Sequence, residues 1–267
     1  MRFLSMRRRH PAAKPLMLLL ALVLVGCVYA LVSPAASSTA DTNVSSQAAA
    51  GKAIFETNCS SCHGMNGEGT TQGPTLAGVG AASVDFQMGT GRMPMARPEA
   101  QAPAKRTNFT DEEIAQVAAY VASLAPGPSV PDAEQYTGKG LSAEEIARGG
   151  ELFRTNCSAC HAIDGRGGAL PNGSYAPSLV KTSDKHIYEA LRTGPQQMPV
   201  FSKSALTDDD VKEIIAYLSS VHSQPNDGGF SLGGLGPISE GLWAWIIGIG
   251  TCVLVAFWLA KKGARAR

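Results

Sequence analysis

Two copies of one pentapeptide limit what this chain can fold into: Cys59-Ser60-Ser61-Cys62-His63 and Cys157-Ser158-Ala159-Cys160-His161. A Cys-x-x-Cys-His run holds two thiols one helical turn apart with an imidazole beside the second. Thiols so spaced add across the two vinyl groups of one porphyrin, and the adjoining histidine reaches the iron. Cys59, Cys62, Cys157 and Cys160 are therefore the expected attachment points of two covalently bound haem c groups. His63 and His161 are the expected proximal ligands. A redox Cys-x-x-Cys or a zinc knuckle leaves the repeated histidine unexplained. Paired zinc halves also sit roughly 15–20 residues apart, far closer than Cys62 and Cys157.

Each motif lies in a copy of an internal repeat, at about residues 48–124 and 146–221. Gly51 to Cys59 aligns without gaps on Gly149 to Cys157, sharing Phe55/Phe153, Thr57/Thr155 and Asn58/Asn156. Farther on, Thr110 and Thr207 are each followed by three acidic residues, a helix N-terminus by capping and by the dipole. Ile114, Val117, Val121 and Leu124 then recur at helical spacing, as do Val211, Ile214, Ile215 and Leu218. Each repeat thus reads as a helix into the motif, a Gly- and Pro-rich loop, and a closing helix. Strand signals are nearly absent.

The expected fold class is mainly α: two tandem class I cytochrome c domains, a C-terminal transmembrane helix and an N-terminal signal or anchor helix. The boundaries are 1–40 for the basic N-terminus with its hydrophobic segment 15–32, and 45–125 for the first domain. A linker follows at 126–143, the second domain at 144–223, a Gly-rich hinge at 224–240, the transmembrane helix at 241–260 and a basic tail at 261–267.

A class I domain completes its iron with a methionine thioether. In the first repeat the candidates are Met93 and Met95, in Gly91-Arg92-Met93-Pro94-Met95; in the second it is Met198, followed by Pro199. The shared Met-Pro pair selects Met93, with Met95 as the alternative. Gly91 is expected to let the chain pass close to the porphyrin. Met65 and Met88 lack that context and are expected to pack. His186, in an expected helix 183–192, and His222, just past the last helix, read as surface histidines. Pro74 and Pro177 occupy matching places and are expected to wall the proximal histidines.

Net charge is +1, but its distribution is uneven. Every Asp and Glu lies between Asp41 and Glu240, an interval with 14 basic against 22 acidic residues. So acidic a body argues against nucleic acid as a partner. The apolar segment 15–32 exceeds the ~7–15 residue core of a signal peptide and suffices for an anchor. Ser38-Thr39-Ala40 is a small-residue cleavage pattern, which leaves removal open. Residues 241–260 carry no charge, with Trp243 and Trp245 at one end, Trp258 at the other and a basic tail beyond. Aromatic belts and flanking cations mark a membrane span with a cytoplasmic C-terminus. The expected location is the cytoplasmic membrane, with the haem domains on its outer face. Cys27 and Cys252 sit in the apolar stretches, so no structural disulfide is implied.

Over nearly its whole length the chain resembles the dihaem cytochrome c subunit of the actinobacterial menaquinol–cytochrome c reductase, the cytochrome bcc complex. The matching stretches are Thr90-Gly91-Arg92-Met93-Pro94, Gln101-Ala102-Pro103, Thr193-Gly194-Pro195-Gln196-Gln197-Met198-Pro199, and Leu232 to Pro237 leading into Trp245. The resemblance implies a membrane subunit beside a cytochrome b subunit and a Rieske iron–sulfur subunit, passing electrons to a haem–copper cytochrome c oxidase. No general acid, base or nucleophile constellation is visible, so quinol chemistry falls to another subunit. The competing readings are a dihaem subunit of another membrane dehydrogenase, and a dihaem peroxidase. A peroxidase needs an open iron position where both repeats offer a methionine. A haem sensor needs a signalling domain for which no residues remain.

Overall fold

The computed structural model describes residues 13–32, 42–223 and 237–265. The basic N-terminus, the Ser38-Thr39-Ala40 pattern and the hinge residues 224–236 lie outside the described residues. Helix α1, Ala13–Val32, belongs to the unit Met1–Ser46 and presents apolar, exposed side chains over 15–27.

The first repeat is built from α2 (Thr42–Asn58), the single turn α3 (Ser60–His63), α4 (Gly80–Gly89) and α5 (Asp111–Leu124). After α6 (Ala133–Tyr136) the second repeat runs through α7 (Ala143–Asn156), the turn α8 (Ser158–His161), α9 (Asp184–Thr193) and α10 (Asp208–Ser223). Among the described residues the only strands are β1 (Gly168–Ala169) and β2 (Tyr175–Ala176), an antiparallel pair.

The helix starts follow from side chains that satisfy orphan N–H groups. Thr110 Oγ1 accepts from the Glu113 amide at 3.3 Å while a Glu113 carboxylate oxygen accepts from the Thr110 amide at 2.8 Å. Ser142 with Glu145, and Thr207 with Asp210, repeat this reciprocal box. Each is worth about 1 kcal/mol of helix stability.

In both repeats the helix entering the motif crosses the closing helix at a glycine. A Cβ on Gly51 would sit 1.9 Å from the Gln116 carbonyl oxygen, and one on Gly149 only 2.0 Å from that of Glu213. Backbone contact here seats Phe55 and Phe153, each fully buried, against Tyr120 and Tyr217. Burying a phenylalanine contributes roughly 2–3 kcal/mol. Val117 and Val121 complete the first core; Ile187, Leu191, Ile214 and Ile215 complete the second.

The two repeats touch. Lys185 Nζ of α9 lies 2.8 Å from both carboxylate oxygens of Asp85 on α4, and the Phe86 and His186 rings meet edge to face at 6.0 Å. Within 126–143 the chain is docked as well as extended. Pro128 accepts a hydrogen bond from the Ala82 amide at 3.1 Å, and Gln135 of α6 donates to the Tyr188 hydroxyl at 3.2 Å.

Helix α11, Pro237–Arg265, runs unbroken. Its apolar part, Gly241–Lys262, has 22 residues, about 33 Å at the helical rise and enough for a hydrocarbon core. Among the described residues it alone is long and apolar enough to cross a membrane. Lys262 Nζ rests 4.1 Å from the centre of the Trp258 ring, cation over aromatic face, as at a membrane boundary.

Candidate functional site

Both Cys-x-x-Cys-His runs leave their helix in the same way. The Cys59 amide donates to Phe55 O and the Cys157 amide to Phe153 O, each at 2.8 Å, which closes the last turn of α2 and of α7. The next turn reverses the chain, with the His63 amide on Cys59 O at 3.0 Å and the His161 amide on Cys157 O at 2.9 Å. Both thiols of each run thereby fall on one short turn with the histidine beside them.

The two imidazoles are oriented by the same device. His63 Nδ1 lies 2.7 Å from Pro74 O, and His161 Nδ1 lies 2.9 Å from Pro177 O. A carbonyl can only accept, so each Nδ1 carries the proton and donates it. That leaves the Nε2 lone pair of each ring available to an iron. Burial lowers the His161 pKa, with the Pro177 bond partly opposing, which keeps this ring neutral. Burial, then the neighbouring cysteine, pushes the Cys59 and Cys157 thiols up to about 11.

The second site opens on a cavity of about 500 Å³, within the range of cofactor pockets. Cys157, Cys160, His161 and Met198 all line it. The Met198 amide is fixed by Pro195 O at 3.1 Å. In the first site the Met93 amide donates to Gln87 O at 3.0 Å, and Met93 and Met95 are both half-buried. The residues of the second site fit a haem c: two cysteines, an imidazole with a free Nε2 and a methionine thioether line one largely apolar cavity.

Part of the second cavity belongs to the first repeat. Phe86, Arg92 and the segment 100–104 line it. Gln101 accepts from the Tyr175 amide at 3.0 Å and donates to the Tyr175 carbonyl, extending the β1–β2 ladder with a side-chain amide. Gln196 Nε2 donates to Ala102 O at 3.1 Å. Arg92 is half-buried with its guanidinium 4.8 Å from the Phe86 ring centre, and burial lowers its pKa.

Several expectations change here. Met88 is buried in the first core, but Met65 is 55% exposed and lies outside it. His222 lies in the last turn of α10, where its Nε2 meets Asp164 O at 2.8 Å, and it is half-buried. His186 is only 19% exposed, held between Phe86, Asp85 and Glu189. Gly91 has φ 65 and meets backbone: a Cβ there would lie 2.1 Å from Lys105 O. Its freedom serves the left-handed turn and that close approach.

The cytochrome c family profile matches residues 48–125, and that of cytochrome c oxidase, cbb3-type, subunit III matches 144–218. The cytochrome bc1 complex cytochrome c subunit of Corynebacterium efficiens is 41% identical over 95% of this chain and 90% of that protein. The Mycobacterium bovis protein of the same name is 42% identical over 96% of this chain and 93% of its own. A more distant relative, a cbb3-type cytochrome c oxidase subunit CcoP of Azospirillum, is 30% identical over 65% of this chain and 62% of that protein. Two domains, two matching Cys-x-x-Cys-His turns and full-length similarity lead to one conclusion. The chain belongs to the family of cytochrome bc1 complex cytochrome c subunits, electron carriers with covalently bound haem c, here one in each of two cytochrome c domains.

Proposed function

We propose that this chain is the membrane-anchored electron carrier of a respiratory quinol–cytochrome c reductase. In this reading it stands beside a cytochrome b subunit, takes electrons from a Rieske iron–sulfur subunit and delivers them to a haem–copper cytochrome c oxidase. The observation that carries it is the duplicated turn whose histidine gives its Nδ1 proton to a proline carbonyl. When bound, haem c supplies one-electron transfer.

The chain's own residues attach, ligate and orient. Cys59 and Cys62 hold the first haem and Cys157 and Cys160 the second. His63 and His161 are the proximal iron ligands. Met93 and Met198 would supply the second iron ligand of each haem, each with its amide anchored and a proline next, with Met95 as the alternative to Met93. In this reading quinol oxidation belongs to a partner subunit.

Helix α11 is the membrane anchor, with Lys261 and Lys262 at its cytoplasmic end and both haem domains on the outer face. Helix α1 acts as a signal or second anchor. Similarity to a cbb3-type oxidase subunit favours, as a second reading, a dihaem subunit of another membrane oxidoreductase.

Gentle purification of the tagged chain separates the two readings. The first expects a cytochrome b, a Rieske protein and an oxidase to accompany it. A chain that comes with a cbb3-type catalytic subunit, or with a dehydrogenase and no Rieske protein, overturns the first.

A further inference from the structure

Among the described residues Glu189 is a carboxylate buried at 0% exposure, and neither of its oxygens has a hydrogen-bond partner. Burying an unpaired carboxylate costs several kcal/mol, so the group either keeps its proton or receives a cation.

Helix α9 places His186 one turn before Glu189, so the two share a face. Helix α4 of the first domain brings Asp85 to the same spot. His186 Nε2 lies 3.8 Å from Asp85 Oδ1 and 3.9 Å from Glu189 Oε2, and the three donor atoms all fall within 4.8 Å of one another. We propose that Asp85, His186 and Glu189 form a binding site for a divalent transition cation of the zinc class, seated between the two haem domains.

The donor set decides the class. Zinc takes imidazole nitrogen and carboxylate oxygen at about 2.0–2.2 Å, which sets donor atoms roughly 3.3 Å apart in a tetrahedron. The three groups need only a modest contraction, and a fourth position stays open to water. Calcium and magnesium prefer oxygen alone and have less use for an imidazole. The His186 and Asp85 side chains are 19% and 14% exposed. None of the three residues belongs to a haem motif or a methionine loop, although His186 also lines the second cavity.

The surrounding charges define the competition. Lys185 of α9 holds both Asp85 oxygens at 2.8 Å, and Tyr136 of α6 lies near that ammonium. Burial, then the Asp85 charge, pushes the Glu189 carboxyl up to about 8, with Lys185 partly opposing. A metal must therefore displace one proton from Glu189 and the ammonium from Asp85. Bound there, it would join the two domains by coordinate bonds.

The test uses the untagged, full-length, haem-loaded chain in detergent, incubated with zinc chloride, desalted and assayed for zinc and iron. One zinc per two irons is expected, with nitrogen and oxygen neighbours in zinc-edge X-ray absorption. Glu189→Gln and His186→Gln should each weaken binding ~100-fold or more, since even outer residues of metal sites are worth 10–100-fold. Lys185→Met should tighten binding several-fold by removing the competing cation, an effect that a merely structural lysine would not produce. Haem spectra report whether each variant keeps its fold, and Asp85→Asn replaces any variant that does not. Zinc retained equally by parent and variants, or by none of them, overturns the proposal. So does weaker binding in Lys185→Met.

Discussion

The two cytochrome c domains share a core and a motif but differ in what stabilises them. Position 148 is Arg148 in the second domain and Ala50 in the first, and Glu213 stands where the first has Gln116. Arg148 bonds both Glu213 oxygens at 2.7 and 2.6 Å and also pairs with Asp210, whose side chain like that of Glu213 is nearly buried. Arg192, Tyr188 and Asp208 make a second polar knot at 2.6–2.8 Å. The first domain closes on apolar contacts and one capping box. The loops differ too: the histidine and its proline partner are 11 residues apart in the first domain and 16 in the second. The extra residues build the β1–β2 hairpin, and Gln101 of the first domain completes it. The second haem pocket is thus a joint construction, polar-braced and walled by its neighbour. The shared helix crossing fixes the fold, while the differences decide which pocket depends on the other.

Breaking what the domains share gives the largest effect. Gly51→Ala and Gly149→Ala each drive a methyl into a backbone carbonyl, with an expected cost of about 3 kcal/mol or more. Hydrogen exchange resolves the domains separately. The first substitution should deprotect α5 and the second α10. Equal protection in parent and variant would mean the crossings can open without loss.

Removing a brace comes next. Arg148→Met leaves Asp210 and Glu213 without their cation and should destabilise the second domain, by less than the loss of a buried pair would, since Arg148 itself is exposed and water shares its charge. Burial raises the Asp210 pKa, but the Thr207 bonds and then Arg148 hold it below the ordinary carboxylate value. A folded pKa below the unfolded one means stability that is complete above ~pH 4–5 and lost as pH falls through the lowered value. Arg148→Met should therefore flatten the acid dependence of α10 protection and leave that of α5 unchanged.

The sequence carried the repeated helices because their signals are local: Thr110 and Thr207 before acids, Phe55 and Phe153 before the cysteines, apolar residues at helical spacing. It carried the two prolines as well, since Pro74 and Pro177 occupy matching places. The joint pocket was not legible. Gln101 meets Tyr175 across 74 residues, and no local pattern announces a side chain that acts as a strand. His186 reads as a surface histidine until the two domains are packed together and Asp85 of α4 meets it. His222 seemed to lie beyond its helix because Val221 ends the apolar pattern, yet the backbone continues to Ser223.

The smallest effect sharpens the asymmetry most. Gln101→Ala removes two hydrogen bonds to Tyr175, worth about 1–3 kcal/mol together. It should deprotect the Tyr175 amide and shift the potential of the second haem only. A shift confined to the first haem would reverse the dependence argued above.

The central claim, that this chain carries electrons through two covalently attached haems, is tested most directly by single-turnover reduction of the purified complex with quinol. Absorbance of the c-type haems should report two reduced per chain. A variant with Cys157→Ala and Cys160→Ala should reduce one and lose quinol-driven oxygen uptake. One haem per parent chain, or undiminished oxygen uptake by that variant, would contradict the account.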